Sequence, residues 1–140
     1  MSSNAATPAS DAPLWSPMLL IPIAWFIPGA GHFLVGRKGR AAIVFSTVLV
    51  TFLIGVAMRG PLYHMGADSG DILSRLIQFG GWIGDMAAGV FYFAASFMGY
   101  APPDVAGYSP DYGSKFIVAA GLLNILAIVD AYEICTRQKD

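Results

Sequence analysis

Residues 28–58 read PGAGHFLVGRKGRAAIVFSTVLVTFLIGVAM. The second part of this stretch, Ala41 to Met58, contains eighteen residues and no charge. A helix rises about 1.5 Å per residue and must cross a hydrocarbon core of about 30 Å, so an uncharged run of this length is typical of a transmembrane helix. We therefore expect a membrane-spanning helix over about residues 41–58.

The composition of the whole chain points the same way. Of 140 residues, 56% are hydrophobic and 12% are charged, with a net charge of −1. Soluble domains carry about 25% charged residues, and a domain this small buries only about two-thirds of its unfolded surface. An ordinary soluble enzyme, a disordered protein and a basic nucleic-acid binder are therefore excluded as interpretations. One cysteine and two distant histidines form no metal-ligand pattern, so we expect no metal and no cofactor.

Three further apolar segments predict an all-α bundle of three or four transmembrane helices. We expect helices over about 14–35, 41–58, 71–100 and 116–134, within a single transmembrane domain at 14–135. Residues 1–13 form a predicted flexible tail, 136–140 a C-terminal tail and 101–115 a structured polar loop. Pro28 and Gly29 interrupt the first segment, which is therefore either a kinked span or a re-entrant hairpin.

The orientation depends on the same alternatives. Arg37, Lys38 and Arg40 form the densest basic cluster, which we expect to meet lipid head groups on the cytoplasmic side. Four full spans, the arrangement we favour, divide the eight basic residues equally between the two sides. A re-entrant first segment would instead move the N-terminus inside. A partly interfacial third segment would move the C-terminus inside and give five basic residues inside against three outside.

A glycine-rich turn precedes the basic cluster. Its pattern, Pro-Gly-x-Gly-His-x-x-x-Gly-Arg, is predicted to be a tight structural turn, because glycine permits close backbone contact. We interpret its histidine as structural, the alternative being proton transfer or ligand binding. The residues of this predicted turn are Pro28, Gly29, Gly31, His32 and Gly36.

These residues resemble those of small bacterial membrane proteins similar to the two-transmembrane-helix domain family, in which such a turn joins two short apolar helices. That family usually has five steps from its histidine to its glycine, whereas His32 and Gly36 are four apart. The chain is more similar to an uncharacterised bacterial integral-membrane family, a domain of unknown function. That resemblance rests on the turn, on Gly-Arg-x-Gly-Arg at 36–40 and on Asp130-Ala131-Tyr132. It implies a membrane protein without a known reaction.

Small residues recur every four positions in two segments, which places each set on one helix face. Such spacing permits close helix packing. The predicted packing residues are Thr47, Thr51 and Gly55 in the second segment and Gly80, Gly84 and Ala88 in the third.

Three polar residues inside apolar segments are the candidate polar site. They are Asp85, Asn124 and Asp130. Intramembrane acids are costly and are candidates for proton or ion sites, but pairing and helix packing are the interpretation that we favour. We interpret Asn124 as a hydrogen-bonding group between helices. Asp130 and Glu133 are interpreted as interfacial anchors, with Arg137 able to pair with Glu133.

No nucleophile–base pair, phosphate-binding loop or dinucleotide fingerprint accompanies these residues. We therefore expect a small non-enzymatic integral membrane protein of a bacterial inner membrane. It would act as a scaffold or accessory subunit through helix packing, as a homo-oligomer or within a larger membrane complex. The alternative is a minimal oligomeric transporter or channel that uses Asp85, Asn124 and Asp130.

Overall fold

A computed structural model describes residues 16–64, 70–102 and 108–137. The predicted N-terminal tail, residues 65–69, residues 103–107 of the predicted loop and residues 138–140 lie outside this described part. Within it, the predicted all-helical class is confirmed, with six helices and no strand. In chain order the helices are α1 (Pro17–Phe26), α2 (Ala30–Leu34), α3 (Lys38–Ala57), α4 (Ile72–Ala87), α5 (Val90–Phe97) and α6 (Tyr108–Arg137).

Helix α6 is the axis on which the other helices pack. Helices α1, α2, α3 and α4 all contact it. Helix α3 runs antiparallel to it, since Gly55 lies against Gly113 and Ile117 at one end while Arg40 reaches Asp130 at the other. The two ends of the bundle are called here the basic end, near Arg40, and the far end, near Gly113.

Two of the six described helices, α3 and α6, are long and apolar enough to cross a membrane. The sequence predicted three or four. The difference arises in the first and third predicted segments, because each is divided by a glycine turn into two shorter helices. At about 1.5 Å per residue, the ten residues of α1 extend only about 15 Å, half of a hydrocarbon core.

The first predicted segment is a helical hairpin at the basic end. In α1, Leu20 and Ala24 pack with Ala131 and Cys135 of α6. The chain then reverses at Gly29, whose φ of 82° is the left-handed conformation that glycine adopts without strain. Pro28 contributes to the break because it disfavours helical backbone in the residue before it. Helix α2 returns along α1 towards the basic end.

The third predicted segment is a second hairpin, which enters from the far end. Helix α4 runs parallel to α6, with Gly84 against Val118 and Ala87 hydrogen-bonded to Asn124. The chain turns at Gly89, which has φ 64° and ψ −130°. Helix α5 then leads back to the far end, where the Tyr100 hydroxyl hydrogen-bonds to the last turn of α3.

The tips of the two hairpins meet near the middle of α6. A Cβ atom at Gly89 would overlap the carbonyl oxygen of Trp25 and lie 2.6 Å from that of Phe26, so only glycine permits this approach. The ring of Phe93, one turn into α5, makes an edge contact with Trp25 at a centroid distance of 6.0 Å. Two half-length helical hairpins from opposite ends thus occupy one layer beside α3 and α6.

The predicted polar loop at 101–115 is shorter than expected. Helix α6 begins at Tyr108, not near Phe116, so its first two turns contain Asp111 and Lys115. The close contact between Gly113 and Gly60 explains this extension, because it packs the first turns of α6 against the end of α3.

Glycine contacts between α4 and α6 provide a test of this packing. A Cβ atom at Gly121 would overlap the Gly84 carbonyl oxygen, whereas one at Gly80 would have nothing within 4 Å. Gly121→Ala is expected to lose about 1–3 kcal/mol of stability through overpacking. Gly80→Ala, the matched control, is expected to gain up to about 1 kcal/mol from helix propensity. Thermal unfolding in detergent, followed by circular dichroism, measures both; equal midpoints for the two variants would contradict the packing described.

Candidate functional site

The three polar residues predicted as one site are not joined to one another. Asp85 lies two residues before Ala87, which hydrogen-bonds to Asn124 near the middle of the bundle, and Asp130 lies at the basic end. Asn124 and Asp130 are six residues apart on α6, about 9 Å along the helix axis. Within the described ranges, no hydrogen bond or ion pair joins any two of these three side chains. Each has its own partners.

Asn124 joins the two hairpins to α6. Its side chain is completely buried, and its amide nitrogen lies 3.1 Å from the carbonyl oxygen of Trp25 and 2.9 Å from that of Ala87. Each of these carbonyls belongs to the last turn of a helix, α1 or α4, where the backbone acceptors have no helical donor. The side chain therefore supplies one hydrogen to each of two helix ends.

Asp85 holds the segment that follows α3. It is fully buried, and the backbone N–H of Tyr63 donates to its Oδ2 atom over 2.7 Å. The Tyr63 ring lies against Gly81, where a Cβ atom would come within 2.7 Å of it. Asp85 thus fixes the approach of this segment to the side of α4.

His32 and Asp130 bring the two ends of the chain together. The histidine Nε2 atom donates to Asp130 Oδ2 over 2.8 Å, because a carboxylate only accepts, and Arg40 Nη1 donates to the same oxygen over 3.1 Å. His32 is 2% exposed, whereas the side chains of Asp130 and Arg40 are 48% and 54% exposed. A buried imidazole from the first hairpin is therefore connected to a carboxylate that reaches the surface.

The same contact unites the two motifs on which the resemblance was based. His32 belongs to the Pro-Gly-x-Gly-His turn and Asp130 to the Asp-Ala-Tyr motif, ninety-eight residues later. Beside them, a Cβ atom at Gly31 would lie 2.9 Å from the Cβ of Ala131. Arg37, Lys38 and Arg40 lie exposed at the surface of this end, at the start of α3. Glu133, which the sequence places on the same helix face as Asp130 and four residues before Arg137, is exposed and takes no part in the contact.

Three buried polar atoms have no hydrogen-bond partner among the described residues. They are His32 Nδ1, Asp85 Oδ1 and Asn124 Oδ1. An unpaired buried polar atom costs free energy, so each is a place where a proton, water or ligand atom would be stabilised. They belong to three side chains that no hydrogen bond joins to one another within the described ranges.

The predicted small-residue stripes are only partly at contacts within the chain. Gly55 lies against Gly113 and Ile117, Gly84 lies against Val118, and Ala88 is completely buried. Thr47 is exposed, and the hydroxyl of Thr51 donates to the Thr47 carbonyl of its own helix over 2.8 Å. Gly80 faces open space.

Other residues at these sites had no clear signal in the sequence. The backbone of Tyr63 is the partner of Asp85, and backbone donors are the same in every residue but proline. Trp25 and Ala87 likewise act through their carbonyl oxygens. The only local sign of these two helix ends is a glycine: Gly29 follows Trp25, and Gly89 follows Ala87. In the part of the chain that the structure describes, no group of three His, Cys, Asp or Glu side chains is placed to hold a metal.

The fold and these contacts define an all-helical protein with two helices apolar enough to span a membrane. The chain belongs to a family of unknown function, DUF6677, which matches residues 19–140. The match includes both the turn and the Asp-Ala-Tyr motif, and membership of a family of unknown function is confirmed. No curated protein and no solved structure matches the chain. Similarity to the two-transmembrane-helix domain stays a prediction.

Asn124→Leu tests the junction of the hairpins. Leucine is similar in size but donates no hydrogen, so the Trp25 and Ala87 carbonyls lose a buried partner, at an expected cost of about 1–3 kcal/mol. Thr136→Val is the control, because that hydroxyl donates only within its own helix and its loss is expected to change stability by less than about 0.5 kcal/mol. Thermal unfolding in detergent measures both, and an Asn124→Leu midpoint equal to that of the control would refute the role of the amide.

Proposed function

We propose that this chain is a small, non-enzymatic integral membrane protein of a bacterial inner membrane. It acts as a scaffold or accessory subunit, through helix packing against a second copy or another membrane protein. An all-helical chain suits the inner membrane, because spanning proteins of the bacterial outer membrane are β-barrels. The exposed cluster of Arg37, Lys38 and Arg40 supports a cytoplasmic position for the basic end.

The observation that carries the proposal is the outward apolar surface of the two long helices. Only 22% of the most apolar window in α3, and 28% of that in α6, is buried inside the chain. The core helix of a soluble protein would be mostly buried, so lipid or another protein is the natural cover for these surfaces. Exposed large side chains on these two helices include Ile43, Val50, Leu53, Leu122, Leu126 and Val129.

The buried polar groups also favour a packing role. Asn124 hydrogen-bonds to helix ends, Asp85 to a loop backbone, and His32 to Asp130 across the hairpin. Each contact positions one structural element against another. Within the described ranges no hydrogen bond joins Asn124, Asp85 and His32 to one another, whereas catalysis requires groups that act together at one place.

The outer face of α4 is the surface that best suits a partner helix. Gly80 lies at the edge of this face, one turn before Gly84, with open space around it, and small residues let two helices approach closely. The exposed apolar residues beside it are Leu73, Leu76, Ile77 and Ile83. In the absence of a partner, lipid chains would have to fill the space beside Gly80.

Purification of the tagged protein from its native membrane in mild detergent, with native mass spectrometry, tests the scaffold proposal. We expect a stable hetero-complex or homo-oligomer that Gly80→Leu disrupts, because leucine blocks the close approach. Gly39→Leu is the matched control, since Gly39 also faces open space but lies at the start of α3. A lone monomer, or a complex that persists in Gly80→Leu, would overturn the proposal.

The second candidate is a minimal oligomeric transporter or channel. It is favoured by the three buried polar atoms without a hydrogen-bond partner, which belong to Asp85, Asn124 and His32. Transporter sites commonly lie where helices are interrupted near the middle of the membrane. The polar path would then depend on Asp85, Asn124 and Asp130, with further lining from other copies.

Asp85→Asn distinguishes the two candidates. Asparagine keeps an oxygen that can accept from the Tyr63 N–H, so the variant is expected to fold and insert. If the chain conducts protons or cations, liposomes that contain the wild type show a flux that the variant abolishes. We expect no flux from either protein under the scaffold proposal, and a wild-type flux lost in the variant would replace that proposal with the second candidate.

A further inference from the structure

Arg59 has a backbone conformation that is unusual for its residue type. Its φ is 58°, the only positive value of a non-glycine residue in the described part of the chain. The position follows the cap of α3: the N–H of Arg59 donates to the Val56 carbonyl, and that of Gly60 to the Gly55 carbonyl. This pair of bonds is the Schellman arrangement, in which the left-handed residue is usually glycine.

Two other helices of the same chain end in this arrangement with glycine. Gly36 follows α2 with φ 83°, and Gly99 follows α5 with φ 69°, each with the same pair of hydrogen bonds. A non-glycine residue in left-handed backbone is strained, and such strain is found where a side chain has a function at that place. The comparison therefore points to a use for the guanidinium of Arg59.

The turn that carries Arg59 is held from two sides. The Tyr100 hydroxyl lies 3.2 Å from both the Val56 and the Gly60 carbonyl oxygens, and its single hydrogen is shared between them. Gly60 itself packs closely on the backbone of Gly113. The position of the Arg59 backbone is thus fixed by both α5 and α6.

An open apolar groove ends beside this turn. It lies between α3 and α5, has a volume of about 390 Å³ and ends at Tyr100. Its lining includes Leu49, Leu53, Val56, Phe91, Ala94 and Met98. The groove runs along α3, which is long and apolar enough to span a membrane, so lipid acyl chains are the molecules that would fill it.

The charge of Arg59 is available at the end of this groove. Its side chain is exposed, and the structure gives it no ion pair with a carboxylate in the described ranges. Burial raises the pKa of the Tyr100 hydroxyl, and the neighbouring Arg59 guanidinium lowers that pKa by a smaller amount. Arg59 lies in the chain between Val56 and Gly60, whose carbonyl oxygens both accept from the Tyr100 hydroxyl, so its backbone is beside the residue at which the groove ends.

We infer that this groove and Arg59 together bind one anionic phospholipid, with an acyl chain in the groove and the head-group phosphate on the guanidinium. Arginine suits this role because its planar fork can donate two hydrogen bonds to a phosphate. The site lies at the far end of the bundle, opposite Arg37, Lys38 and Arg40. The inference rests on the proposed membrane location but not on the proposed scaffold role.

Titration of the delipidated full-length protein in detergent with phosphatidylglycerol, followed by native mass spectrometry, tests the site. We expect one lipid to bind the wild type preferentially, and Arg59→Gly to weaken that binding about fivefold, the effect of about one basic contact with an anionic head group. Glycine is favoured at this left-handed position, so the variant is expected to keep its fold. Arg137→Gln, which removes a cation at the basic end, is the control and should bind as the wild type does.

A second variant tests the acyl chain separately. Ala94 is exposed and lines the groove, so Ala94→Phe fills the groove without entering the core. It is expected to weaken binding at least as much as Arg59→Gly. Unchanged binding by Ala94→Phe, or equal weakening by Arg59→Gly and Arg137→Gln, would overturn the inference.

Alkaline carbonate extraction of the expressing membranes separates the two possible failures. Wild-type protein that is released by carbonate is not integral, and the proposed function then fails with the lipid site. Protein that remains in the membrane, but whose lipid binding is unaffected by either variant, contradicts the lipid site alone.

Discussion

The fold depends on how the broken ends of two short helices are satisfied inside an apolar bundle. Where a helix ends, its last carbonyl groups have no helical donor, and inside a buried core no water is available to replace it. The Asn124 amide donates to one such carbonyl in α1 and to one in α4. A single buried side chain thus makes it possible for two hairpins to end opposite each other beside one continuous helix. Leucine or alanine in its place would leave both ends unpaired.

Close backbone approach is the second constraint, and it follows from the first. The Asn124 amide can reach both carbonyls only if α4 lies almost in contact with α6, and this is where Gly84 and Gly121 meet. At the opposite tip, Gly89 allows the second turn to rest on the end of α1. Gly84, Gly89, Gly121 and Asn124 therefore act together. The glycines let the helix backbones approach closely, and at that distance the Asn124 amide can hydrogen-bond to both helix ends.

The sequence predicted the helical class and the strongest helix because both depend on local composition. Residues 41–58 lack charge, and α3 covers nearly the same range. The break at Gly29 was also readable, because proline followed by glycine interrupts a helix wherever it occurs. The break at Gly89 could not be predicted, since a single glycine after alanine is compatible with a continuous helix. Glycine is required there because the backbone touches the Trp25 and Phe26 carbonyls of the other hairpin. Likewise, nothing local indicated that His32 and Asp130 would meet.

The placement of polar groups shows where activity belongs in such a molecule. Asn124, Asp85 and His32 are buried and each has a structural partner, so changing any of them alters how elements are held. The exposed groups differ. Arg59 keeps a strained backbone that glycine would relieve, and Gly80 leaves an apolar helix face open without any conformational need for glycine. Neither residue increases the stability of the isolated chain. Both make physical sense if the outer surface of the bundle, rather than its interior, meets the molecules on which this protein acts.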